Sequence, residues 1–139
     1  MPDLDNQRAN VLLVEDEPLI SEIATEVLEE QGFTVEAVET AGAALQRLLS
    51  GTPVDILFTD LNLPGEMDGG ALARRARELH PGLPVIYTSG RRSNMDELDP
   101  VEGSMFVAKP YDLFKIGYLL NYLVAVHRVS AQPSKARAS

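Results

Sequence analysis

Short apolar runs alternate along this chain with longer stretches whose apolar residues return every three or four positions. Residues 11–14 (VLLV) are such a run and predict a buried strand, while residues 34–38, 54–59, 83–89 and 104–108, mostly apolar but broken by residues such as Glu36 and Asp55, predict further short strands. Between the first two, Leu19, Ile20, Ile23, Ala24, Val27 and Leu28 fall at helical spacing, with Glu22, Glu26, Glu29 and Glu30 facing away. Pro18 suits the first helical turn and Gly32 the end. Further helices are predicted over residues 41–50, 68–80 and 112–128. Gly51-Thr52-Pro53 and Pro81-Gly82 punctuate the first two of these. Residues 91–102 resist assignment: Met95, Leu98 and Val101 would share a helical face, but Pro100 and scattered acids weaken it.

Alternation of strand and helix predicts an α/β fold, a doubly wound five-stranded parallel sheet with helices on both faces. In such sheets ligands bind beyond the carboxyl ends of the strands. That is where the polar residues gather: Glu15 and Asp16 after the first strand, Asp60 after the third, Ser89 at the end of the fourth and Lys109 after the fifth.

Composition narrows the classes. The 139 residues are 45% apolar, enough for a core, and one domain is predicted over residues 9–128, with flexible tails at 1–8 and 129–139. Twelve basic against 21 acidic residues give a net charge of −9, which disfavours direct nucleic-acid binding. With no cysteine, disulfides, thiol catalysis and zinc–thiolate sites are excluded. No apolar run is long enough to span a membrane and the N-terminus lacks a signal-peptide core, so a cytoplasmic location is expected.

If the fold brings Asp16 and Asp60 together, their mutual repulsion is roughly 4 kcal/mol at 4 Å and an effective dielectric of 20. A hard divalent cation such as Mg²⁺ is the natural counter-charge for oxygen ligands, and Lys109 supplies a second. Metal, carboxylate, ammonium and the Ser89 hydroxyl form a set suited to a phosphoryl group. An aspartate can be the nucleophile and become an acyl phosphate.

The segments "LLVEDE", "ILFTDLNLPGEMDG", "PVIYTSG" and "FVAKPY", in that order, resemble the receiver domain of bacterial two-component response regulators over residues 9–128. The resemblance implies a flavodoxin-like strand order 2-1-3-4-5. It implies that Asp60 is the phospho-acceptor, that Glu15, Asp16 and Asp60 hold Mg²⁺ with the backbone carbonyl of Asn62, and that Ser89 is the switch hydroxyl. Lys109 then pairs with the phosphoryl group, Phe106 stands at an aromatic switch position, and Pro110 matches a cis-proline. The expected function is a stand-alone response regulator rather than a turnover enzyme. A sensor histidine kinase or phosphotransfer protein would be its donor. A downstream protein, or a second copy through the last helix, would read the face made by the fifth strand, residues 91–102 and the last helix.

Three departures bear on output. Gly90 replaces the usual alanine, the loop after Asp60 is longer by one residue, and Phe106 lacks the common tyrosine hydroxyl. A pseudo-receiver that binds partners without phosphorylation stays open, as does a small cofactor binder or phosphatase. Against those last two, the first strand–helix loop has no glycine, and Asn62 stands where an aspartyl phosphatase needs a second acid. Glu17 reads as a plain first-turn acid. His80 and His127 receive no role, and Arg91-Arg92 reads as a solvated pair.

Overall fold

A computed structural model describes residues 8–90 and 98–130. In chain order the elements are β1 (Asn10–Val14), α1 (Pro18–Glu30), β2 (Thr34–Val38), α2 (Ala41–Leu49), β3 (Ile56–Asp60), α3 (Gly69–Leu79), β4 (Val85–Ser89), β5 (Met105–Ala108) and α4 (Leu113–Ser130). The five strands form one sheet in the order β2-β1-β3-β4-β5, all pairs parallel. The order reverses between β1 and β3, which opens a crevice at the carboxyl ends of those strands.

Alternation along each strand sends side chains to two cores. Leu12, Val14, Leu57, Val85 and Tyr87 pack with Ala44 and Leu48 of α2 and Leu72, Ala73 and Ala76 of α3. Leu13, Ile56, Phe58 and Ile86 face Ala24 and Leu28 of α1 and Ile116, Leu120 and Val124 of α4. Helix starts follow local chemistry: Thr40 Oγ1 accepts from the Ala43 N–H at 3.0 Å and Asp68 Oδ1 from the Ala71 N–H at 2.8 Å.

Element ends fall within two residues of the periodicity, and β3 differs at both ends. The third strand begins at Ile56: the Asp55 N–H still donates to the Asn10 carbonyl at 2.8 Å, but the Asn10 backbone N–H and side-chain amide turn to the Asp55 carboxylate at 2.7 and 3.2 Å. It ends on Asp60, which pairs with Thr88. Residues 91–97 of the stretch left unassigned, with Arg91, Arg92 and Met95, lie outside the described residues. Residues 98–102 form no helix but are tied to the domain. The Tyr87 hydroxyl accepts from the Val101 N–H at 3.1 Å, and Arg77 donates to the Glu102 carbonyl at 2.7 Å.

Helix α3 begins pressed against the end of β3. A Cβ placed on Gly69 would lie 2.1 Å from the Asp60 carbonyl oxygen, so only glycine fits there without a backbone shift. Gly69→Ala is therefore expected to destabilise the domain by about 2 kcal/mol through overpacking. Chemical denaturation should show the loss, and Gly42→Ala, with nothing nearer than 3.9 Å, is the control that should not.

Candidate functional site

The carboxyl ends of β1, β3, β4 and β5 converge on one polar cluster. Glu15 follows β1 and is 1% exposed; Asp60 closes β3 at 5%. Asp16 beside them is exposed. One carboxylate oxygen from each of Glu15, Asp16 and Asp60 lies within 4.8 Å of the others. Burial pushes the Glu15 carboxyl above its ordinary value, although the Lys109 ammonium and the Glu17 N–H, which donates to Glu15 Oε2 at 3.1 Å, pull the other way.

Lys109 leaves the end of β5 through a cis Lys109–Pro110 peptide and crosses the sheet to this cluster. Its ammonium donates to Asp60 Oδ2 at 2.7 Å and stands 3.0 Å from Glu15 Oε1 and 3.7 Å from Glu17 Oε1. Burial alone would lower the lysine's pKa, but the hydrogen bonds to Asp60 and Glu15 outweigh it and hold the ammonium strongly charged. Glu17, read as a plain first-turn acid, sits at the start of α1 without capping it and reaches Lys109 as an outer partner.

Asn62 ties the loop after β3 in place. Its N–H donates to Asp60 Oδ1 at 3.0 Å and its side-chain amide donates to Ser89 Oγ at 3.2 Å. Glu15, Asp16, Asp60, Asn62, Ser89 and Lys109 thus come together as a single site. Phe106 does not join them: it pairs with Tyr87 across β4 and β5 and packs, half-buried, on the core under α2 and α3.

Two neighbours were not singled out in the sequence. Tyr111 packs its ring on Phe58 at 5.6 Å, and its hydroxyl, buried without a hydrogen-bond partner, is pushed up to about 12 by burial and then by the Glu15 charge. Thr88, 2% exposed, also has an unpartnered hydroxyl. Nothing marked either in the sequence, because a threonine in a strand and a tyrosine after a proline are ordinary.

Three oxygen donors, no nitrogen or sulfur, and a surplus of negative charge fit a hard cation of the Mg²⁺ class. Lys109 alone does not neutralise Glu15, Asp16 and Asp60, so the donor set has charge left for a divalent ion.

Residues 11–120 match the family model described as the response regulator receiver domain. The chain belongs to that family. This receiver is 36% identical over 107 residues to the transcriptional regulatory protein CreB of Escherichia coli, covering 76% of the chain and 46% of CreB. It is 31% identical over 130 residues to the DNA-binding transcriptional regulator NtrC of the same organism, covering 91% of the chain and 27% of NtrC. The chain therefore spans about half, or less, of the length of these curated relatives. Among solved structures, a response regulator receiver protein from Sinorhizobium medicae superposes with a TM-score of 0.82 at 28% identity, covering 88% of this chain and 98% of that one. The receiver domain of the hybrid histidine kinase CckA gives 0.71 at 27% identity, with 84% and 99% covered.

Proposed function

We propose that this receiver accepts a phosphoryl group on Asp60 from a phosphohistidine of a sensor kinase or phosphotransfer protein, with Mg²⁺ bound, and that the acyl phosphate changes a protein-binding face. The observation that carries the proposal is the Lys109 bridge, 2.7 Å to Asp60 and 3.0 Å to Glu15, inside a carboxylate cluster at the strand ends. A purely structural lysine would not need three acids around it.

The chemistry follows from the positions. One Asp60 carboxylate oxygen attacks phosphorus, a P–O bond forms, the P–N bond to the donor imidazole breaks, and the electron pair leaves with that nitrogen. The Asn62 N–H and the Lys109 ammonium hold the Asp60 carboxylate on either oxygen and fix its approach. Mg²⁺ held by Glu15, Asp16, Asp60 and the Asn62 carbonyl would neutralise phosphoryl oxygens. Ser89, already bonded to Asn62, supplies a hydroxyl that can turn to the new group. Asp60 is an acceptor modified once per cycle rather than the nucleophile of a turnover enzyme.

Partner surfaces flank the site. Ile20, Ile23, Ala24, Pro110 and Leu113 line an apolar groove that also contains Lys109, so a donor protein seated there would lie beside the lysine that contacts Asp60. On the outer side of α4, Phe114, Tyr118, Tyr122 and Val126 form an exposed row at four-residue spacing. Such a ridge suits packing against another helix, of a downstream protein or of a second copy.

Intact mass after incubation with acetyl phosphate and Mg²⁺ tests the proposal. A gain of one phosphoryl group that requires magnesium and is lost to hydroxylamine is expected. No gain with either acetyl phosphate or a phosphorylated donor protein, from a folded chain, would falsify it.

A further inference from the structure

Thr88 occupies the position beside the acceptor in the sheet. In register, Asp60 of β3 pairs with Thr88 of β4, and Thr88 pairs with Val107 of β5. Adjacent strands lie about 4.8 Å apart. Phe58, Ile86 and Val107 all belong to the core under α1 and α4, so alternation puts Asp60, Thr88 and Lys109 on that same side. Lys109 starts beyond β5 and ends on Asp60 of β3, so its side chain passes over β4, the strand that carries Thr88. The Thr88 hydroxyl is buried and has no hydrogen-bond partner among the described residues. A buried hydroxyl without a partner destabilises the state that holds it, and an isosteric apolar side chain would avoid the loss.

We propose that Thr88 is a positioning residue whose hydroxyl accepts a hydrogen bond from the Lys109 ammonium when Asp60 is phosphorylated. This rests on the reading of Asp60 as the phospho-acceptor. At rest the ammonium donates to Asp60 and is ion-paired with Glu15 at 3.0 Å and Glu17 at 3.7 Å, and the Thr88 hydroxyl receives no donor from it. Transfer puts three phosphoryl oxygens outward of Asp60 and draws the ammonium to them. Moving off Glu15 leaves an N–H to be satisfied in a buried place, and of the two unpartnered hydroxyls nearby, Thr88 Oγ1 and Tyr111 Oη, the one on the strand beside Asp60 is Thr88 Oγ1. The bond holds Lys109 on the β4 side of Asp60, facing the phosphoryl group, and satisfies a hydroxyl that the resting state leaves unpaired.

The test separates stability from phosphoryl recognition. Wild type, Thr88→Val and Thr88→Ser are compared for thermal midpoint without ligand and, by calorimetric titration in Mg²⁺, for affinity toward beryllofluoride as the phosphoryl stand-in. Thr88→Val should unfold a few degrees higher than wild type, yet bind beryllofluoride about tenfold more weakly, about 1.4 kcal/mol. Thr88→Ser keeps the hydroxyl and should bind within about twofold of wild type. Thr88→Val binding as tightly as wild type overturns the proposal and leaves Asp60 as acceptor untouched. A Thr88→Val chain no more stable than wild type overturns its premise, the unpaired hydroxyl. A folded wild type that neither binds beryllofluoride nor gains mass with either phosphodonor overturns both readings together.

Discussion

The Asp60→Asn chain should gain no mass with acetyl phosphate and Mg²⁺, and it should unfold at a higher temperature than wild type. Both effects come from the same atoms. The neutral amide cannot supply the carboxylate oxygen that attacks phosphorus, so phosphoryl transfer falls to the background of the other side chains. Glu15 and Asp60 are almost fully buried, Asp16 lies within 4.8 Å, and among the described residues one ammonium serves them. Two carboxylates about 4 Å apart repel by roughly 4 kcal/mol at an effective dielectric of 20, before Lys109 offsets part of it. Asparagine removes one charge and keeps one side-chain oxygen for the Lys109 ammonium, 2.7 Å from Oδ2, while the Asn62 N–H, 3.0 Å from Oδ1, loses its acceptor, which offsets part of the gain. A net gain of about 1 kcal/mol is expected, or a midpoint about 3–5 °C higher. The site is thus stabilised by losing the group its proposed chemistry needs, and calorimetry beside mass spectrometry reads both halves. A variant that is silent in mass but also less stable would mean that Asp60 is held mainly as a structural partner of Lys109.

The site showed in the sequence where buried strands end abruptly in charge. VLLV running into Glu15 and Asp16, and ILFT into Asp60, is a pattern a core strand does not need, so the polar ends point to a site. Strand order was different. Alternating strands and helices give a parallel sheet, but the placement of β1 between β2 and β3 came from the resemblance to receivers, and the sheet has that order. The last helix shows a limit of periodicity. Ile116, Leu120 and Val124 form one apolar row at four-residue spacing, and Phe114, Tyr118, Tyr122 and Val126 form another. Only packing decides that the first row enters the core and the second faces outward. Gly69 and Thr88 were silent for the same reason. A close backbone approach and an unpaired hydroxyl exist only once β3, α3 and β4 are brought together.

Lys109→Met should give the largest loss of stability of any single change at the site, with a deficit that grows as pH rises. Methionine keeps most of the apolar stem and removes only the ammonium. Glu15, 1% exposed, and Asp60, 5% exposed, are then left as buried carboxylates without their cation. Removing one partner of a buried ion pair costs about 3 kcal/mol at neutral pH. The sign with pH follows from Glu15. Burial already holds its carboxyl above the ordinary 4.5 while Lys109 pulls it down, so the variant raises it further. An acid whose folded-state pKa is raised favours the fold fully below its unfolded value and loses that contribution as pH climbs through the folded one. Denaturation from pH 4 to 8 should therefore show wild type and variant close together at the acid end and diverging above about pH 4.5. Adding Asp60→Asn to Lys109→Met should recover about 2 kcal/mol at pH 7, more than the about 1 kcal/mol the same change gains beside an intact Lys109, since the charge left unpaired is the one removed. Strict additivity of the two changes would show that the ammonium and the Asp60 carboxylate are not energetically coupled. The 2.7 Å contact would then be geometry without consequence for the fold.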